Sequence, residues 1–78
     1  MTIKDLECFY VTCQEHSITK AARHLYITPQ GLSKTIKNLE FEFQTKLLNR
    51  TTSGITLTET GKYLYEHLPQ ILNSYYDI

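Results

Sequence analysis

No run of apolar residues in this chain approaches the roughly 20 that a bilayer crossing requires, so no membrane partner is expected. The opening stretch "MTIKDLECFY" carries charges where a secretory signal would be apolar, and a cytoplasmic location is expected. Glycine is scarce, and no glycine-rich loop offers to cradle a phosphate. Cysteine is scarcer: Cys8 and Cys13 lie five apart on one helical stretch, point in different directions and cannot pair. Cys13 reads as a small buried residue and Cys8 as a half-exposed thiol. His16, His24 and His67 form no spaced ligand set with them, so no metal or other cofactor is expected. Paired carboxylates and a nucleophile–histidine–acid arrangement are also missing, which argues against an enzyme.

Net charge is missing as well, at +0, yet its distribution is uneven. From residue 20 to 50 the chain carries Lys20, Arg23, Lys34, Lys37, Lys46 and Arg50 against Glu40 and Glu42, six basic and two acidic residues, a local +4. A polyanion binder needs a basic face rather than a basic average. With 41% hydrophobic and 21% charged residues the 78-residue chain has the composition of one small globular domain.

What is present is a series of helix starts. Thr2 with Asp5 reads as a cap with an acid in the first turn. Leu6, Phe9, Tyr10 and Cys13 then recur at helical spacing, predicting a helix to about Glu15. Ser17 caps a short second helix, Ile18 to about Leu25, whose inner face is Ala21, Ala22 and Leu25. Thr28 followed by Pro29 is a third start, because proline at the first helical position loses no hydrogen bond. Only Tyr26 and Ile27 separate helices two and three, so the two must meet at a steep angle, as in a helix-turn-helix. The turn contains no glycine.

Helix three carries two stripes. Leu32, Ile36, Leu39 and Phe43 cluster within roughly 60° of arc and are expected in the core, while Gln30, Ser33, Lys34 and Lys37 centre about 140° away. Beyond it, "LLNRT" and "ITL" flank the turn residues "TSG" and predict a hairpin of Leu48–Thr51 with Ile55–Leu57. Thr58 caps a fourth helix with Glu59 at its positive end. In that helix Leu64, Leu68, Ile71 and Tyr75, flanked by Tyr65, Leu72 and Tyr76, form an apolar seam that predicts packing on another copy of the chain, with folding back on its own domain as the alternative. Pro69 predicts a kink or a frayed end.

The expected fold is therefore mostly α: a winged helix-turn-helix of three helices plus a two-stranded wing, followed by a linker helix. The domain spans residues 1–58, with the helix-turn-helix at 18–37 and the wing at about 48–57; residues 59–78 form the linker and dimerisation helix. In this architecture the third helix lies in the DNA major groove with its N-terminal residues against base edges. Gln30 can pair bidentately with adenine, Lys34 can reach guanine or phosphate, Ser33 admits close approach, and Lys37 suits phosphate. Thr19, Lys20 and Thr28 lie beside helix N-termini, whose free N–H groups favour phosphate oxygens.

The segment "SITKAARHLYITPQGLSKTIKNLEFEF" followed by "LLNRTTSGITLTETG" resembles the N-terminal DNA-binding region of LysR-type transcriptional regulators. The resemblance covers nearly the whole chain and rests on "AARHL", "LSKTIKNLE", "LLNRT" and "LTETG" in order. It implies DNA contacts at Thr28, Pro29, Gln30, Ser33 and Lys34, and a wing from Arg50 to Gly54 that adds Arg50, Thr52 and Ser53. Two departures stand out: "TPQG" places proline before glutamine, and Ser53 stands where the family commonly carries arginine, so a weak wing contribution is expected. Full-length members add a large C-terminal domain that binds a small effector and builds the larger oligomer; without it this chain reads as a fragment or a natural truncation. The family's linker helix pairs antiparallel with its partner's, in keeping with a homodimer through Leu64, Leu68, Ile71, Leu72 and Tyr75. The expected function is sequence-specific binding of double-stranded DNA in transcriptional regulation. The alternative is a protein-interaction module docking through its apolar fourth helix.

Overall fold

Every helix of the chain starts at a hydroxyl. In the computed structural model, which describes residues 1–78, the side chains of Thr2, Ser17, Thr28 and Thr58 accept from the backbone N–H of Asp5, Lys20, Gly31 and Gly61 at 3.1, 3.2, 3.0 and 3.0 Å. Each cap satisfies one of the N–H groups that a helix start leaves unpaired. Asp5 answers Thr2 by accepting from its N–H at 3.1 Å, closing a reciprocal capping box. The helices that follow are α1 (Ile3–Glu15), α2 (Ile18–Leu25), α3 (Pro29–Phe43) and α4 (Glu59–Tyr76), with strands β1 (Leu48–Thr51) and β2 (Gly54–Leu57) between α3 and α4.

Three helices end on a non-glycine residue in the left-handed conformation: His16, Tyr26 and Gln44, with φ of 56°, 58° and 56°. The absence of glycine from the helix-turn-helix connection is resolved at Tyr26, which takes the conformation glycine usually supplies. Two bonds tie the turn: Tyr26 N–H donates to the Arg23 carbonyl at 3.3 Å and Ile27 N–H to the Ala22 carbonyl at 3.1 Å, the paired bonds of a Schellman ending. The tyrosine ring itself is 95% exposed.

The strands pair antiparallel with Leu48 opposite Leu57 and Thr51 opposite Gly54, so β2 begins one residue earlier than the β-branched pattern indicated. Gly54 has φ of 136° and lies against the α1–α2 turn, where an added Cβ would meet the His16 carbonyl oxygen at 2.6 Å. That same carbonyl accepts from Ile55 N–H at 3.2 Å. The wing is thus fastened at the base of the helix-turn-helix.

One core joins all six elements. Phe9, Leu32, Ile36, Leu39, Leu47 and Leu68 are its largest fully buried apolar side chains, and Thr12 joins them by donating its hydroxyl to the Cys8 carbonyl at 2.7 Å. Several expectations are corrected here. Cys8 is buried, at 3% exposure, because the α1 face it occupies is covered by the rest of the core. Phe43 leaves the core at 38% exposure, since α3 ends there and the chain turns away at Gln44. Leu68 and Leu72, assigned to contacts with a second copy, are buried at 0% and 8% within their own domain. The reason is that α4 folds back along α1, where Tyr10 and Tyr65 stack with ring centroids 5.1 Å apart. Leu64 is half-buried against the same core, which leaves Ile71 and Tyr75 as the exposed members of the seam. α4 also continues through Pro69 to Tyr76 without fraying.

Gly61 explains how α4 comes so close. A Cβ on this residue would lie 2.0 Å from the Leu47 carbonyl oxygen, a main-chain atom with no freedom to withdraw. Gly61→Ala should therefore destabilise the chain by about 3 kcal/mol, the upper end of overpacking costs. Urea denaturation followed by circular dichroism reads this as a lower midpoint, and an unchanged midpoint would contradict the close approach.

Candidate nucleic-acid interface

The polar stripe of α3 does not stand alone on the surface. It forms one wall of an open groove of about 570 Å³ lined by Ile18, Thr19, Pro29, Gln30, Ser33, Lys34, Lys37 and Arg50. α2 contributes its first turn, α3 its first two and a half turns, and β1 its third residue. Seven of the residues singled out in the sequence converge here. Ile18 is the addition, a half-buried apolar residue that the sequence marked only as the first residue of α2.

Arg50 reaches the groove although a weak wing contribution was expected. It borders the main groove and also a second cleft, with Ser17, Ile18, Thr19, Thr51, Thr52, Gly54 and Ile55, that runs from the start of α2 to the wing. Thr52 enters the site through this second cleft.

The remaining expected residues lie elsewhere. Lys20 faces a separate cleft with Glu15, Arg23, His24 and Tyr26. Thr28 borders neither groove, and its side-chain oxygen is engaged by Gly31 N–H. Ser53 sits at the wing tip, where its hydroxyl lies 3.3 Å from that of Thr51. Ser17, not singled out for contact, lines the second cleft as well as capping α2.

The electrostatics favour an anionic partner. The chain forms one ion pair, Met1 ammonium with Glu42 at 2.7 Å, and His24 Nε2 lies 3.4 Å from a Glu15 carboxylate oxygen. Neither contact involves Lys34, Lys37 or Arg50, so the groove's cations keep their full charge toward solvent. All three are exposed. A carboxylate partner would have to be displaced before a phosphate could bind, and here there is none to displace.

The groove of exposed amide, hydroxyl and cationic groups suits recognition of a polyanion's edges and backbone. The chain's histidines, cysteines and carboxylates bring no three donors together around a point where a metal could sit. The thiols are turned inward, with Cys13 pushed up to about 12 by burial and Cys8 raised for the same reason. Neither thiol ionises near neutral pH, so a maleimide or Ellman's reagent at pH 8 should label the folded chain far more slowly than the urea-unfolded one. Rapid labelling of two thiols under native conditions would contradict this burial.

Comparison with known proteins places these features in context. The family model described as bacterial regulatory helix-turn-helix protein, lysR family, matches residues 3–62. Among curated proteins, the HTH-type transcriptional regulator CysL of Bacillus subtilis (strain 168) is 44% identical over 70 residues, covering 90% of this chain and 23% of its own length. The HTH-type transcriptional activator AaeR of Escherichia coli (strain K12) is 37% identical over 76 residues, covering 97% of this chain and 25% of its own. The chain thus spans about a quarter of the length of the curated relatives it matches. Among solved structures, the BenM DNA-binding domain in complex with catB site 1 DNA matches with a TM-score of 0.93 at 32% identity, over 99% of this chain and 86% of that one. The CbnR DNA-binding domain in complex with DNA matches with a TM-score of 0.89 at 26% identity, over 94% and 84%.

Proposed function

The chain belongs to the lysR family of bacterial regulatory helix-turn-helix proteins, and from that premise we propose that it binds double-stranded DNA sequence-specifically, as a dimer, in transcriptional regulation. The observation that carries this reading is the groove itself: unpaired cations, an amide and hydroxyls from α2, α3 and β1 line one concave face. α3 enters the major groove by its N-terminal half. Gln30, in the first turn, reads an adenine edge, and Ser33 leaves room for the duplex to approach. Lys34 and Lys37 hold phosphates, as does Arg50 from the wing side. The first turn of α2, at Ser17, Ile18 and Thr19, approaches a neighbouring phosphate with its unpaired N–H groups. Relatives with this architecture support the reading, since the matched BenM and CbnR domains are complexes with DNA.

Dimerisation falls to the side of α4 that the domain leaves uncovered. Tyr63, Ile71 and Tyr75 are exposed there, and His67 lies against Tyr63 with ring centroids 4.3 Å apart. A second copy pairing along this stripe places two reading helices on one face, as two half-sites of a near-palindrome require. In the longer proteins of the family, an effector would act through a domain beyond these residues.

Two substitutions separate base reading from phosphate holding. Gln30→Ala should weaken binding to a selected site by roughly 5- to 150-fold, the loss expected for one bidentate base contact of about 1–3 kcal/mol. It should leave affinity for a random duplex nearly unchanged, and equal losses on both would remove Gln30 from base recognition. Lys34→Ala and Lys37→Ala should each make the dependence of log affinity on log salt shallower by about 0.9, because one phosphate fewer is neutralised. Fluorescence anisotropy across a salt series measures it, and a slope identical to the parent's would take that lysine out of the interface.

A further inference from the structure

Past the main groove, the cationic surface continues. Lys37 and Arg50 also border a third cleft, on the side toward the α3–β1 connection, where they are joined by Lys46 and Glu40. Three cations face one carboxylate in this cleft, a net of +2. Glu40 is occupied in a particular way: its Oε2 accepts from the backbone N–H groups of both Leu47 and Leu48, at 2.7 and 3.2 Å. No lysine or arginine lies within ion-pairing distance of it. The carboxylate is held by main chain, and the cations around it remain free.

Lys46 combines an exposed side chain with an anchored backbone. Its carbonyl accepts from the Thr58 hydroxyl at 2.7 Å, and the next two N–H groups are the pair bound by Glu40. A lysine on fixed main chain gives up only side-chain freedom when its ammonium engages a phosphate.

The spacing also fits a duplex. At about 1.5 Å per residue, Lys37 lies about 10 Å along α3 from Gln30, close to the roughly 12 Å width of the major groove. With Gln30 against a base edge, the Lys37, Arg50 and Lys46 cluster falls at a phosphate strand bordering the groove. We infer that Lys46, from the α3–β1 connection, is a DNA-backbone contact, completing with Lys37 and Arg50 a second phosphate-holding cluster at the rear of the reading helix. The inference rests on the duplex-binding reading above and extends the footprint past α3, which residues 30–37 alone do not reach.

The test is Lys46→Gln in the 78-residue chain, titrated with a selected duplex across a salt series, beside Lys34→Ala and a charge control, Lys62→Gln, on the exposed surface of α4. Lys46→Gln should make the slope shallower by about 0.9, the change expected when one phosphate fewer is neutralised, while Lys62→Gln leaves it at the parent value. In addition, replacing the bordering phosphates one at a time by uncharged methylphosphonate should weaken the parent chain at one position to which the Lys46→Gln variant is insensitive. A parental slope in Lys46→Gln beside a shallower one in Lys34→Ala would overturn the role of Lys46 and leave DNA binding standing. Equal changes in Lys46→Gln and Lys62→Gln would overturn it too, as an effect of overall charge. If the parent chain bound no duplex at low salt, DNA binding would fail first and this contact with it.

Discussion

The main chain from Lys46 to Leu48 is gripped from two sides, and the mutual placement of α3, the wing and α4 depends on that grip. From α3, the Glu40 carboxylate binds the N–H groups of Leu47 and Leu48. From the start of α4, the Thr58 hydroxyl binds the Lys46 carbonyl and the Thr58 N–H binds the Leu47 carbonyl at 3.1 Å. Gly61 allows α4 to rest directly on that same carbonyl. A turn following a helix would otherwise leave these groups to water. Here they are consumed by the elements that the turn must connect, and Leu47, fully buried, anchors the arrangement in the core.

The groove inherits its shape from this arrangement and from a second, smaller one. β1 leaves the gripped segment in a fixed direction, which brings Arg50 beside the second turn of α3. β2 returns to the α1–α2 turn, where the His16 carbonyl receives Ile55 N–H and Gly54 allows the contact. The wing is therefore held at both ends of the helix-turn-helix, and the first turn of α2 opens directly onto it. Charges on two separate elements, α3 and β1, end up on one face although the chain as a whole has none in excess.

Much of this was legible in the sequence, for reasons that are local. A hydroxyl followed by helical spacing marks a helix start because the cap bond spans only three residues, and all four starts are found at Thr2, Ser17, Thr28 and Thr58. The polar stripe was legible from periodicity, and its residues do share a face. What stayed hidden depends on contacts distant in sequence. Glu40 counted in the sequence only as a charge opposing its neighbours, because nothing local reveals that it turns to the main chain seven residues on. Leu68 and Leu72 read as a surface for another copy because periodicity gives an apolar face without saying what covers it; α1 covers it. Lys20, one residue from Thr19, falls into a different cleft because a helix turns about 100° per residue. Arg50 was expected at the interface only through the family resemblance, because no spacing within the strand foretells the direction of β1 that brings it to the groove.

The turn between α2 and α3 has a consequence for what the domain can recognise. It is closed by two main-chain bonds, with Tyr26 in a left-handed conformation and Thr28 already committed to the next helix. On the proposed DNA-binding reading, a connection with no spare residue, closed by these bonds, would present every duplex with much the same angle between the two helices. Differences among the duplexes it bound would then fall to the nucleic acid, through bending at its flexible pyrimidine–purine steps and through the width of its grooves. Base pairs that the protein never touches would thus weigh in its choice of site through the elastic work needed to fit them to that angle.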